Sequence, residues 1–160
     1  MRYLMAALIL SLIPGAAMAE VFDRAAEATG ASDDDAALEE WQSLAQEGDP
    51  AAQNNLGWMH DAGQGVAQDH AEAVRWYRKS AEQGFAKAQA NLGKMYARGL
   101  GVEEDNRLAY LWLDVAARDL ESAYEPRDIV AARITVDELF EARDQAWDCV
   151  RASDYESCEW

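Results

Sequence analysis

Two histidines, two cysteines, several serines and many carboxylates are what this 160-residue chain offers for chemistry. Acyl transfer needs a serine or cysteine within reach of an imidazole that a third group orients. The imidazoles are His60 and His70, and Ser43, Ser80, Ser122, Ser153 and Ser157 stand in no nucleophile-elbow pattern such as GxSxG. His60 reads as a packed residue at the core edge and His70 as a solvated first-turn residue. Zinc needs three or four converging nitrogen and sulfur ligands, and Cys149 and Cys158 lie far along the chain from either histidine. Eight residues separate the two cysteines, which excludes a CxxC redox motif. A close, even pair in an exported chain reads instead as a structural disulfide, whose short loop would contribute about 2–3 kcal/mol. The acidic runs Asp33-Asp34-Asp35 and Glu103-Glu104-Asp105 stand at helix starts, where the helix macrodipole favours negative charge without a metal. Neither continues with the alternating ligands and distal glutamate of a calcium loop. The turns Gly63-Gln64-Gly65 and Gly99-Leu100-Gly101 lack the lysine and the strand of a phosphate loop. These residues predict no catalytic centre, no metal and no cofactor.

The elements that would carry any site begin with an export signal. Residues 1–19 have one early positive charge, Arg2, then an apolar run Leu4–Ile13, a Pro14-Gly15 break and the small residues Ala17-Met18-Ala19. That layout predicts a signal peptide cleaved between Ala19 and Glu20, with a periplasmic or secreted product. The apolar run is about half the ~20 residues that a membrane span requires, so no stable membrane insertion is expected after cleavage. Residues 20–160 hold 13 of the 14 basic and all 30 acidic residues, a net charge of −17. Such a surface repels phosphate backbones and excludes nucleic acid as a natural partner.

Repeats organise the remainder. Laid without a gap, Gly48–Gln83 matches Gly84–Asp119: Ala52 falls on Ala88, Gln53 on Gln89, Asn55 on Asn91, Leu56-Gly57 on Leu92-Gly93 and Met59 on Met95. Gly63 then matches Gly99, Gly65-Val66 matches Gly101-Val102, Asp69 matches Asp105, Ala73 matches Ala109 and Trp76 matches Trp112. Within each 36-residue unit, apolar residues at three- and four-residue steps predict two helices, A and B. Asp49-Pro50 opens the first helix, the Gly-x-Gly turn ends it, and Asp69 or Asp105 caps the second. Val66 and Val102 plug the turns. Gly57 and Gly93 sit inside helix A, where glycine costs about 1 kcal/mol against alanine. Their recurrence predicts helix backbones too close for a Cβ. Helix B places Ala73, Trp76, Tyr77 and Ala81 on one inward face, so Trp76 and Trp112 are expected in the core. Subtracting one period carries helix B back to Asp35–Glu47, through Ala37, Trp41, Ala45 and Gly48, with Ser32 as its cap and Phe22–Thr29 as a short partner. After Asp119 the register decays into a cap that shields the last apolar face. Pro126 is expected to begin a short helix through Arg133. The T-x-x-E capping box at Thr135–Glu138 opens a last helix that turns Leu139, Ala142, Ala146, Trp147 and Val150 inward.

The motif AxAQxxLGxM followed by GxGV, and above all the stretch Ala86–Tyr96, resembles the Sel-one-like repeat, a relative of the tetratricopeptide repeat. His60 stands where that repeat has an aromatic and Leu113 where it often has tyrosine. The resemblance implies an all-α fold, a short right-handed α-solenoid of antiparallel helix hairpins with C-terminal capping helices. The expected layout is a signal peptide at 1–19, a degenerate half-repeat at 20–47, repeats at 48–83 and 84–119, and a disulfide-tied helical cap at 120–160. It also implies a protein-interaction scaffold or regulator whose partner is a protein or peptide of the bacterial envelope, in signalling or polysaccharide systems. The concave face of such an array is lined by A helices. Candidate partner-binding residues, beside the LG motif but outside the packing pattern, are Asn54, Asn55, Trp58 and Asp61 in the first unit and Asn91, Lys94 and Arg98 in the second. An asparagine can clamp an extended backbone with a donor and an acceptor, and Trp58 is of the type enriched at interfaces. For Asn55 and Asn91 an internal bracing role stands equally open. The alternative function is a cell-wall small-ligand binder or hydrolase similar to cysteine-rich relatives linked to β-lactam binding. Those relatives carry a disulfide in each repeat, which neither unit here has.

Overall fold

The computed structural model describes residues 34–152, with side chains described from 38 to 146. The signal segment, the helix expected at Phe22–Thr29 with its Ser32 cap, the inward placing of Trp147 and Val150, and the Cys149–Cys158 bond lie outside the described residues. What is described is all helical: α1 (Asp34–Gln46), α2 (Pro50–Ala62), α3 (His70–Glu82), α4 (Ala86–Arg98), α5 (Asn106–Ala116), a 3-10 turn (Glu121–Ala123), α6 (Tyr124–Ala131) and α7 (Val136–Ala152). Each helix from α1 to α5 packs on the next in chain order, and α6 and α7 both pack against α5. The result is a helical-repeat solenoid closed by a two-helix cap.

Local chemistry sets the ends. Asp49, Asp69 and Asp105 each accept a hydrogen bond from the backbone N–H three residues on, at 2.7, 2.9 and 2.9 Å. Each thereby satisfies one of the orphan donors of a helix start. Gly63 and Gly99 end the A helices in the left-handed conformation, at φ 68° and 63°. The amides of Asp69 and Asp105 then donate to the carbonyls of His60 and Tyr96 at 2.9 and 3.1 Å, so both turns fold back on their own A helix. Val66 and Val102 pack partly buried under these turns, as the sequence requires.

The glycines inside the A helices mark close approaches, with different neighbours. A Cβ on Gly57 would stand 2.6 Å from the Tyr77 ring, and one on Gly93 would stand 2.8 Å from Leu113 Cγ and 3.0 Å from the Ala109 carbonyl oxygen. Tyr77 and Leu113 occupy the same repeat position, so leucine at the family's tyrosine position fills the same slot. Packing against Gly57 therefore involves an aromatic face rather than a helix backbone, whereas Gly93 does meet backbone.

The main core runs from α3 to α7 and includes Tyr77, Leu92, Met95, Leu111, Trp112, Leu113, Ala142 and Ala146. A second, smaller cluster joins α1 to α2 through Trp41, Ala45, Ala52, Leu56 and Met59. Trp112 is fully buried as expected, but Trp76 is only partly buried at the edge of the smaller cluster, with the Lys79 ammonium 4.3 Å above its ring. The difference follows from stacking: the Trp112 helix is covered by α6 and α7, while Trp76 faces the thinner N-terminal end. The short helix begins at Tyr124, two residues before Pro126, because the preceding 3-10 turn leads into it and a proline in a first turn forfeits no bond.

Candidate partner-binding face

The A helices α2 and α4 are linked by a hydrogen bond between Asn91 and Asn54, and a strip of residues on the two helices escapes the packing. On α2 the strip holds half-buried Asn55 and exposed Trp58; on α4 it holds half-buried Asn91 and Lys94 and exposed Arg98. Asn55 and Asn91, and Trp58 and Lys94, are equivalent repeat positions, so the two helices present the same rows with different chemistry. Trp58 keeps 43% of its surface in solvent, which is high for an indole. Helix α4 carries Lys87, Lys94 and Arg98 and no acidic residue, an exception in a strongly acidic chain.

Three of the sequence-selected residues are already engaged within the fold. Asn54 is buried, and its side-chain oxygen accepts a hydrogen bond of 3.1 Å from the Asn91 amide. The expectation that Asn54 lies outside the packing pattern is corrected: its equivalent is Ala90, a core residue, and the larger side chain survives burial by pairing across the junction. Asn91 thus braces the junction and keeps one edge on the strip. Asp61, the third engaged residue, holds the His70 Nδ1 at 2.9 Å, and its backbone carbonyl accepts from the Gln68 amide at 2.8 Å. It fastens the α2–α3 turn, and His70 is a half-exposed partner of that carboxylate, not a freely solvated residue. His60 sits half-buried at the core edge, and its Nδ1 finds no hydrogen-bond partner among the described residues.

Sequence reasoning missed the glutamines that tie unit to unit. Gln53 and Gln89 are buried, and each donates to the carbonyl eight residues earlier, Ala45 and Ala81, both at 3.2 Å. The same bond thus recurs at each junction, and Gln83 adds a bond of 2.7 Å to Gln53. The signal was a polar amide recurring at the repeat period on a face otherwise made of alanine and leucine. Ser80, also buried, donates its hydroxyl to the Pro50 carbonyl. These bonds tie each A helix to the B helices beside it.

Chemically the strip offers an indole for apolar burial, amide donors and acceptors, and two cations on α4. Among the described residues no three His, Cys, Asp or Glu side chains converge on a metal-sized site, and no helix is long and apolar enough to cross a membrane.

Comparison with known proteins completes the description. The family model of the Sel1 repeat matches residues 50–85 and 86–119. The chain is similar to the crystal structure of a protective antigen of uropathogenic Escherichia coli strains that displays an SLR fold. That match has 32% identity and a TM-score of 0.73, and covers 91% of this chain and 34% of the other. It is also similar to a Sel1 repeat protein from Oxalobacter formigenes, at 34% identity and a TM-score of 0.56, over 58% of this chain and 39% of the other. The chain therefore spans little more than a third of the length of these structures. No curated protein matches it.

Proposed function

The chain carries two Sel1 repeats within an all-helical solenoid, and from that premise we propose that it is an interaction scaffold of the bacterial envelope. Sel1 repeat proteins generally bind protein partners, and the fold is typically a non-catalytic one. The partner segment lies across α2 and α4, with an apolar side chain against Trp58 and acidic side chains toward Lys94 and Arg98. The observation that carries this reading is Trp58, an indole 43% exposed at the repeat position that the next unit fills with Lys94. Exposed aromatic residues on rigid elements are the usual anchors of protein interfaces. Asn55 and Asn91 lie about one turn before Trp58 and Lys94 on their helices, where an amide can meet the backbone of an extended segment. The signal-peptide layout of residues 1–19 and the close cysteine pair support the envelope as the setting.

The test is capture of partners from a bacterial envelope fraction with residues 20–160, compared with Trp58→Ala and Lys94→Glu variants. Trp58→Ala is expected to cost about 2 kcal/mol of binding, roughly thirtyfold, as for an interface anchor. Lys94→Glu should mainly slow association and flatten its salt dependence. A partner retained with unchanged affinity by the double variant would exclude this face. Trp58 is exposed and Lys94 only half-buried, so circular dichroism should show the fold intact in each variant.

A further inference from the structure

Two helix faces of this molecule are complementary in charge and in spacing. On α4, Lys87, Asn91, Lys94 and Arg98 follow one another at steps of four, three and four residues, which sets them in one row along the helix. The equivalent row of α2 is Ala51, Asn55, Trp58 and Ala62, which carries no charge and displays an indole 43% exposed. Among the described residues, none of Lys87, Lys94 and Arg98 forms an ion pair. Helix α2 thus offers an apolar row and α4 a cationic one, and the Asn91–Asn54 bond of 3.1 Å links the two helices.

The opposite chemistry lies on α7. Val136 and Phe140, one turn apart, are 67% and 61% exposed, while Ala142 and Ala146 are buried on the side that meets α5. Asp137, Glu141 and Asp144 follow at steps of four and three residues. All three are exposed and, among the described residues, without an ion pair. Asp137 and Glu141 stand one position beyond Val136 and Phe140, so the carboxylate row runs beside the apolar pair. Arg143, the one cation of residues 136–146, lines a cleft against α5 and α6 with Asp114 and Tyr124.

Resting on the α2–α4 strip as a docking face, we propose that its occupant is α7 of a second copy of this chain. In that contact Val136 and Phe140 lie on Trp58, and the carboxylate row faces α4. The intervals along the two helices agree. Lys87 and Lys94 are seven residues apart, as are Asp137 and Asp144, and each interval spans about 10.5 Å at ~1.5 Å per residue. In either direction of docking Glu141 falls near Asn91, whose amide has a second N–H besides the one given to Asn54. Both copies are strongly acidic, which opposes association at long range. At ~0.1 M salt the Debye length is about 10 Å, so that repulsion is largely screened while pairs in contact are not. Strip and α7 are different surfaces, so each added copy leaves one of each free, and the contact builds chains or rings rather than an isologous pair.

Sedimentation velocity of residues 20–160, in reductant and at about 0.1 M salt, tests this over a wide range of protein concentration. The parent should show association that grows with concentration. Trp58→Ala and Phe140→Ser should each weaken it about tenfold or more, and Lys94→Glu about three- to tenfold. Circular dichroism checks that each variant keeps its helices. The decisive sample mixes Trp58→Ala with Phe140→Ser at a concentration where neither associates alone. Each retains the face that the other lacks, so the mixture should form one-to-one dimers and nothing larger. Lys94→Glu and Asp144→Lys, combined in one chain, should likewise recover association that either change alone weakens. A parent that stays monomeric, or a mixture that stays monomeric while the parent associates, would overturn the assignment of α7. Association that survives both single variants would overturn it as well. If a monomeric parent captures a different envelope protein through Trp58, the docking face stands and only its occupant falls.

Discussion

At Gly57 and Gly93 local preference and packing pull in opposite directions, and distances decide between them. Alanine is the better helix former by about 1 kcal/mol. A Cβ at Gly57 would nevertheless lie 2.6 Å from the ring of Tyr77, which is 1% exposed and has nowhere to go. At Gly93 the obstacle includes the Ala109 carbonyl oxygen at 3.0 Å and the Leu113 amide nitrogen at 3.3 Å, both backbone. Overpacking a filled core costs about 1–3 kcal/mol, occasionally more. Gly57→Ala and Gly93→Ala are therefore each expected to destabilise the protein by about 1–2 kcal/mol after the helix gain is subtracted. Urea unfolding at unchanged slope measures it, and a variant as stable as the parent would show that the neighbouring helix can shift aside. Trp58 poses the reverse case. The equivalent position is Lys94, so nothing in the packing asks for an indole there, and an exposed aromatic without a structural duty points to a partner.

Helix ends show how single residues govern elements. Thr135 and Glu138 form the reciprocal cap of α7: the Thr135 amide and hydroxyl reach the Glu138 carboxylate at 2.7 and 2.8 Å, and the Glu138 amide donates to the Thr135 hydroxyl at 3.3 Å. The hydrogen bond from the Thr135 backbone, then that from its hydroxyl, hold the carboxyl below its ordinary value of 4.5. A depressed acid contributes its stability above the unfolded value and loses it as pH falls through the folded one. Amide protection in the first turn of α7 should thus decline as pH drops below 4.5 in the parent, and far less so in Glu138→Gln, which keeps the reach without the titration. Identical profiles in the two proteins would remove the cap as cause. This box was legible in the sequence, as were the aspartate caps, the Gly-x-Gly turns and the order of helices, because each depends on residues a few positions apart. The cross-unit ties Asn54–Asn91, Gln53–Ala45 and Gln89–Ala81 were not. Asn54 departs from its repeat equivalent Ala90, and that mismatch suggested a free surface where the fold had built a bridge.

Across the whole molecule, stability is distributed as stacking dictates. In a solenoid each unit contacts only its neighbours, so a terminal unit is supported on one side and an inner unit on two. Here α4 and α5 lie between α3 and the two cap helices, and their side chains fill the main core with Leu92, Met95, Leu111, Trp112 and Leu113. At the other end, among the described residues, α1 and α2 share a cluster of five buried residues, two of them alanines, and Trp76 at its margin is only partly covered. α2 is tied to α3 by Tyr77 against Gly57 and by the Ser80–Pro50 and Gln83–Gln53 bonds, and to α4 by the asparagine pair. Local openings draw their free energy from the contacts they break, so the N-terminal pair should open at lower cost than the centre. Native-state hydrogen exchange is expected to show a gradient, with α1 and α2 least protected and α4 and α5 most. Denaturant should leave exchange from α1 nearly unchanged while it accelerates that from α5. Asn91→Ala, which cuts the tie to Asn54, should lower protection in α2 more than in α5. If all helices exchanged at one rate with one denaturant dependence, the array would unfold as a single unit. The A-helix strip would then be as rigid as the core behind it, whereas with the gradient the Trp58 end of the strip is the part that adapts to a bound segment.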